Sequence, residues 1–310
     1  MNKKVLSNFA LFLTALIWGV SFVAQKAGMD YVGAFSFNFA RSILGGISLI
    51  PLIFLVKMTT PDNRPKKLKH LQHWYLFKAG AFCGLALFTA MSLQQYSMIS
   101  ASAGKAGFIS ALYIIFVHLI SMFFGAKLEN KIKVSVGLAL VGLYLLCFKG
   151  GLTGFDMYDG LLLIGAFFYG VHILVVNHFS RHVNPVKMSC VQFFVVGLLS
   201  LPFMLMFENP VVANFVAAKT PILYAGILTC GVAYTLQIFG QKFTPPTIAS
   251  IILCMESVFA VVGGSLILHE TMTPREVCGC IFMIIAVVLS QIQMKNFKKG
   301  LTVCSQNNEE

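Results

Sequence analysis

The chain has 310 residues, 57% of them hydrophobic and 11% charged, with a formal net charge of +12 and a mean hydropathy of +0.81. An average soluble domain carries roughly 25% charged residues, so this composition excludes an ordinary water-soluble enzyme and excludes intrinsic disorder. The basic excess does not point to nucleic acid, because its residues fall in the gaps between apolar runs, where they act as orientation signals of a membrane protein.

In chain order, the uncharged stretches predict ten membrane spans, at about 5–26, 33–56, 75–97, 102–126, 132–148, 158–180, 187–207, 220–241, 247–268 and 276–294. Each approaches the ~20 residues that cross a hydrocarbon core of ~30 Å. The first follows Met1-Asn2-Lys3-Lys4. Its apolar run is long and lacks a small-x-small cleavage site, so a retained helix is expected rather than a signal peptide. The stretch 79–126 holds one charge, Lys105, in 48 residues; it is too long for one helix and must turn back near Ser97–Gly104. The fifth span is the shortest, its apolar run covering only Val134–Phe148. No second, soluble domain fits in what remains.

With a cytoplasmic N-terminus, 16 Lys and Arg fall on inner segments and 4 on outer ones, leaving Arg41, Lys78 and Lys105 within spans. The positive-inside rule then puts both termini in the cytoplasm, with Arg64 and Arg181 inside and Asp156 and Lys219 outside. The cell (inner) membrane is the expected location. Most of the eight cysteines lie in apolar runs as small hydrophobes. Cys278 and Cys280 sit on different helix faces, unlike a zinc-binding CxxC pair, so no metal and no cofactor is expected.

A shift of 151 aligns Ala15 with Ala166, Trp18-Gly19 with Tyr169-Gly170, Arg41 with Gln192, Gly46 with Gly197 and Pro51 with Pro202. The shift falls to 147 at Gly84/Gly231, Ala86/Ala233 and Gln94/Gln241, to 143 at Phe116/Phe259, and to 141–142 at Glu129/Glu270 and Gly137/Gly279. The steady drift, rather than any one match, marks a repeat. Five spans per copy is an odd number, so the second copy enters the membrane inverted. The predicted fold class is therefore an all-α integral membrane protein of ten transmembrane helices in two inverted five-helix repeats. The first repeat covers 1–149, the second 150–296, and a cytoplasmic tail covers 297–310. Inverted repeats can rock against each other and expose a midplane site to either face.

Several short runs resemble the drug/metabolite transporter superfamily, in particular its EamA-type members. These are Trp18-Gly19-x-Ser21-Phe22, Phe39-Ala40-Arg41, Gly125-Ala126-Lys127-Leu128-Glu129, and Met255-Glu256-Ser257-Val258-Phe259 with Leu268-His269-Glu270 following. The likeness extends from about Leu6 to Gln293, although Ser257 stands where the family has proline and His269 where it has glycine. The resemblance implies ten helices and export of small metabolites such as amino acids; it fixes no substrate.

Glu256 is the one acidic residue well inside a span. It is nine residues, or about 14 Å, along its helix and must face protein or a wet cavity. It either serves the translocation path, as a site for a proton or a substrate ammonium, or pairs structurally with Arg41. For Arg41, permanently charged, a clamp on backbone carbonyls or on Glu256 is the favoured reading. Lys105 and Lys26 can snorkel to the outer interface, Lys105 being the better candidate for substrate contact. Thr14, Trp18, Ser21 and Gln25, and likewise Cys230, Tyr234, Gln237 and Gln241, repeat at i, i+4, i+7, i+11 and share a helix face. Gln95 and Ser92, Ser110, His118 and Ser121, and Tyr169 and His172 add polar groups. Such residues either line a cavity or bond helix to helix. Amides and phenols suit neutral or zwitterionic solutes.

The expected substrate-binding set is Trp18, Gln25, Gln95, Lys105, His172, Tyr234, Gln237 and Glu256. The expected function is secondary export by alternating access, with the bilayer and a small-molecule substrate as partners and proton coupling or exchange at Glu256. A membrane-embedded enzyme on lipid or isoprenoid substrates, or a channel, is the alternative. No Walker-type loop for ATP is present, and Asp156 and Asp159 read as isolated, with no catalytic cluster around them.

Overall fold

A computed structural model describes residues 3–59, 66–101, 103–127, 129–147, 156–268 and 273–292. Among them there is helix and no strand: α1 (Lys3–Gly28), α2 (Ala34–Thr59), α3 (Lys66–Ser97), α4 (Ala103–Ala111), α5 (Tyr113–Phe123), α6 (Asn130–Cys147), α7 (Met157–Ser180), α8 (Pro185–Phe207), α9 (Val212–Ala217), α10 (Lys219–Leu223), a π-helical segment (Tyr224–Ala233), α11 (Tyr234–Gln241), α12 (Pro246–Leu253), α13 (Glu256–Leu268) and α14 (Pro274–Ile292). Arg64, Leu128, His269, Glu270 and the tail 297–310 lie outside the described residues.

Among the described residues, seven helical runs are long and apolar enough to cross a bilayer: Lys3–Gly28, Ala34–Met58, His70–Ser97, Lys105–Phe123, Met157–Ser180, Pro185–Phe207 and Lys219–Gln241. A shorter apolar run covers Pro246–Val262. α6 and α14 pack along each other. The fold is that of a helical, multi-pass membrane protein.

The distribution of residue types shows why these helices need lipid. Phe54, Phe82, Phe123, Phe124, Leu198 and Ile281 are exposed, whereas Gln25, Asn38, Arg41, Gln95, His172, Gln192, Gln237 and Glu256 are buried. A water-soluble protein has the opposite arrangement; hydrocarbon at the surface and polar pairing within is the bilayer solution. α1 illustrates the pattern. Its buried stripe Leu11, Thr14, Ala15, Trp18, Ser21, Phe22 and Gln25 faces the bundle, while Phe9, Phe12 and Leu16 face outward.

Small residues set how closely the helices approach. A Cβ on Gly19 would sit 2.6 Å from the Glu256 carbonyl oxygen and 2.6 Å from Phe259 Cβ, so α1 and α13 meet backbone to backbone. Gly142 plays the same part between α6 and α14, where a Cβ would lie 2.9 Å from the Gly279 carbonyl oxygen.

Three of the predicted continuous spans are interrupted. Leu112 separates α4 from α5, and Cys254–Met255 separate α12 from α13. In both places a three-residue turn tightens the chain: Leu112 N–H donates to the Ile109 carbonyl and Met255 N–H to the Ile252 carbonyl. The two breaks touch, for Cys254 Sγ lies 3.4 Å from the Ala111 carbonyl oxygen. The third interruption is the π segment.

Asp156 and Asp159 are not isolated, contrary to the sequence reading. They form a reciprocal capping box at the start of α7, each side chain accepting from the other's backbone N–H, at 2.9 and 3.1 Å. This satisfies two orphan donors of the helix end. The spacing of three residues carried that signal.

Candidate functional site

The two polar stripes converge. Thr229 Oγ1 donates to Ser21 Oγ at 3.0 Å, Thr14 Oγ1 donates to the Ala233 carbonyl at 3.0 Å, and the Trp18 and Tyr234 rings lie 4.7 Å apart. Between them is a cavity lined by Trp18, Ser21, Phe22, Gln25, Arg41, Gln94, Ser110, Tyr113, Tyr169, Thr229, Tyr234 and Glu256. All of these are buried except Tyr169, which is half-buried. The cavity volume is about 30 Å³, room for about two waters.

The breaks and the π pitch explain which residues arrive there. Tyr113 and Glu256 are the first residues of α5 and α13, directly after the two breaks, and both line the cavity. The shift of 143 that pairs Phe116 with Phe259 also pairs Tyr113 with Glu256, so the sequence carries the signal that could have found Tyr113. Thr229 and Tyr234 are five residues apart; an α-helix would turn them about 140° from each other. The i→i+5 bonding of a π-helix stacks them on one side instead. Cys230, predicted for the stripe on α-helical spacing, is buried outside the lining, and Thr229 takes its place.

The walls are partly cross-linked. Tyr169 Oη donates to Gln94 Oε1 at 2.8 Å, and Gln94 Nε2 donates to Ser110 Oγ at 2.8 Å. Gln25 Nε2 donates to Ser21 Oγ at 3.2 Å. Other polar atoms of the lining are buried without a hydrogen-bond partner: Trp18 Nε1, Gln25 Oε1, and Arg41 Nε and Nη2. Arg41 is 2% exposed, with its guanidinium 5.4 Å from the Phe37 ring centroid. It lines the same cavity as Glu256, and among the described residues no ion pair joins them. The expected clamp on Glu256 is absent.

Of the residues expected to bind substrate, Trp18, Gln25, Tyr234 and Glu256 come together here. The other four are not part of its lining. Gln95 Nε2 donates to the Gln25 backbone carbonyl at 3.3 Å. His172 Nε2 is 3.2 Å from Gln192 Oε1, with its ring 5.9 Å from that of Tyr234. Gln237 is fully buried with neither amide atom partnered. Lys105 forms an ion pair with Asp159 at 2.7 Å. Arg41, Ser21, Phe22, Gln94, Ser110, Tyr113, Tyr169 and Thr229 complete the wall. Among the described residues, no three His, Cys, Asp or Glu side chains converge as a metal site requires.

The sequence matches the model of the EamA-like transporter family over residues 5–148 and again over 157–291. An uncharacterized transporter of Archaeoglobus fulgidus is 30% identical over 293 residues, which is 94% of this chain and 88% of the relative. The uncharacterized transporter YoaV of Bacillus subtilis is 23% identical, over 89% of this chain and 93% of its own. A probable terminal-alkyne amino-acid exporter of Streptantibioticus cattleyicolor is 20% identical over 73% of each chain. One solved crystal structure superposes with a TM-score of 0.72 at 16% identity, covering 94% of this chain and 98% of that one. At that identity the likeness carries the fold alone.

Proposed function

The chain belongs to the EamA-like transporter family, and on that premise we propose that it is a secondary carrier exporting small polar metabolites by alternating access. The observation that carries this reading is the buried cavity at the touching helix breaks. A volume of about 30 Å³ takes about two waters and no metabolite, so a solute enters only if the helices around it separate. A channel needs a standing pore; a carrier needs a site that opens to one side at a time.

Two repeats related by inversion supply such a motion. The family match falls once on each half. The packing also repeats: α1 lies against α13 as α7 lies against α5, α3 against α7 as α11 against α1, and α3 against α8 as the π segment against α2. The Lys and Arg distribution favours cytoplasmic termini in the cell membrane. The contact set is Trp18, Gln25, Tyr234 and Glu256, with Gln95, His172 and Gln237 supporting it and Lys105 closing one end through Asp159. Glu256 is the group for proton coupling or exchange. Amino acids are the first class to test, since one relative is named an amino-acid exporter.

The purified protein in liposomes loaded with unlabelled amino acids should accelerate uptake of the labelled form. A channel gives no such trans-stimulation, and an enzyme consumes its substrate; either result refutes the carrier.

A further inference from the structure

Arg41 is buried at 2% exposure with Nε and Nη2 unpartnered on the cavity wall. A permanent charge withdrawn from water is costly unless something answers it. The Phe37 ring, 5.4 Å from the guanidinium carbon, answers the charge by cation–π attraction but leaves Nε–H and Nη2–H without an acceptor. Nε and Nη2 lie on one edge of the planar guanidinium. That edge, with two donors in a fork, matches a carboxylate held bidentately.

Glu256 supplies the opposite charge on the same wall without touching Arg41. A ligand carrying one anionic and one cationic group therefore meets both, and the low-dielectric site stays neutral. A simple amine would leave Arg41 uncompensated, and a simple acid would leave Glu256 so. Beside Glu256, the paired rings of Trp18 and Tyr234 offer an aromatic face to an ammonium, and Gln25 Oε1 and Trp18 Nε1 remain for hydrogen bonds.

We propose that Arg41 and Glu256 form a zwitterion-binding site, Arg41 gripping the substrate carboxylate and Glu256 its ammonium. This rests on the carrier reading and narrows it: substrates must bear both groups.

The test uses the full chain in detergent and reads its unfolding temperature. The probes are the proteinogenic amino acids, each beside its decarboxylated amine and its deaminated acid, for instance L-leucine, isopentylamine and 4-methylpentanoate. At least one amino acid should stabilise the protein, with its amine and acid at least tenfold weaker. Arg41→Gln should lose that selectivity, and Arg41→Lys should keep a weakened form, since it retains charge without the fork. An amine or acid equal to its parent, an unchanged affinity in Arg41→Gln, or no stabilisation by any amino acid overturns the assignment. If Arg41→Gln does not fold, the three-way comparison on the wild type decides alone. Liposome counterflow separates the two readings. Exchange of a solute lacking one charged group sinks the Arg41–Glu256 site and keeps the carrier; selective binding without exchange does the reverse.

Discussion

Glu208 sits just past the end of α8 and caps a different helix. Its carboxylate accepts from Phe35 N–H and Ser36 N–H at 2.8 Å each and from Ser36 Oγ at 2.6 Å. A negative charge at the start of α2 also meets the positive end of that helix dipole. Glu208→Ala should lower stability by about 1–3 kcal/mol, read as an earlier unfolding midpoint in detergent, while leaving solute selectivity alone. A change below the error of the melt would mean water replaces the carboxylate at no cost. Glu256 has the other kind of role. Glu256→Gln keeps the shape and removes the charge; the groups that share its cavity are Arg41, Tyr113, Tyr169 and Tyr234. The variant should insert and fold but lose at least tenfold in exchange, or lose its dependence on pH. Wild-type exchange with an unchanged pH profile would leave Glu256 structural. That Glu256 lies on a cavity wall was legible in the sequence, because a lone carboxylate in an apolar run must face protein or a wet cavity. The surroundings of Arg41 were not: a buried charge suggests a partner, and only geometry shows Nε and Nη2 without one.

At the level of elements, the positions of the helices followed from hydropathy, and their interruptions did not. Nothing in Ser110-Ala111-Leu112-Tyr113 or Leu253-Cys254-Met255-Glu256 contains the Gly or Pro that usually marks a break. The two tight turns instead lie against each other at Cys254 and Ala111. The π segment is silent in the same way, because a change from four-residue to five-residue bonding leaves composition untouched. Its effect on facing residues is large enough to test. Ser21 and Thr229 hydroxyls are 3.0 Å apart. In a background without the eight native cysteines, Ser21→Cys with Thr229→Cys should cross-link on mild oxidation. Ser21→Cys with Cys230 alone restored should not. Equal cross-linking of both pairs would return the segment to an ordinary α-helix.

For the whole molecule, the links that join the halves at one end of the bundle include Lys105 with Asp159 between α4 and α7, and Glu208 with the start of α2. We propose from the Lys and Arg distribution that this end is the outer one, and labelling checks it. An impermeant thiol reagent on intact cells should label a cysteine placed at Asp156 and miss one placed at Arg64, and the reverse pattern would overturn the inverted topology. If that end is outer and the site opens there by α4 and α7 parting, the Lys105–Asp159 pair must break for a solute to leave. Asp159 is 2% exposed against 34% for Lys105, and the capping box also holds the carboxylate. Replacing both by cysteine removes the attraction and permits opening. Bridging those cysteines with a reducible bifunctional thiol reagent about as long as the lost lysine side chain should then stop exchange, with recovery on reduction. Binding of solute from the cytoplasmic side should survive the bridge, because only one end is held shut. Exchange that continues at full rate in the bridged protein would mean that α4 and α7 stay together throughout the cycle, and that the halves do not rock about the cavity.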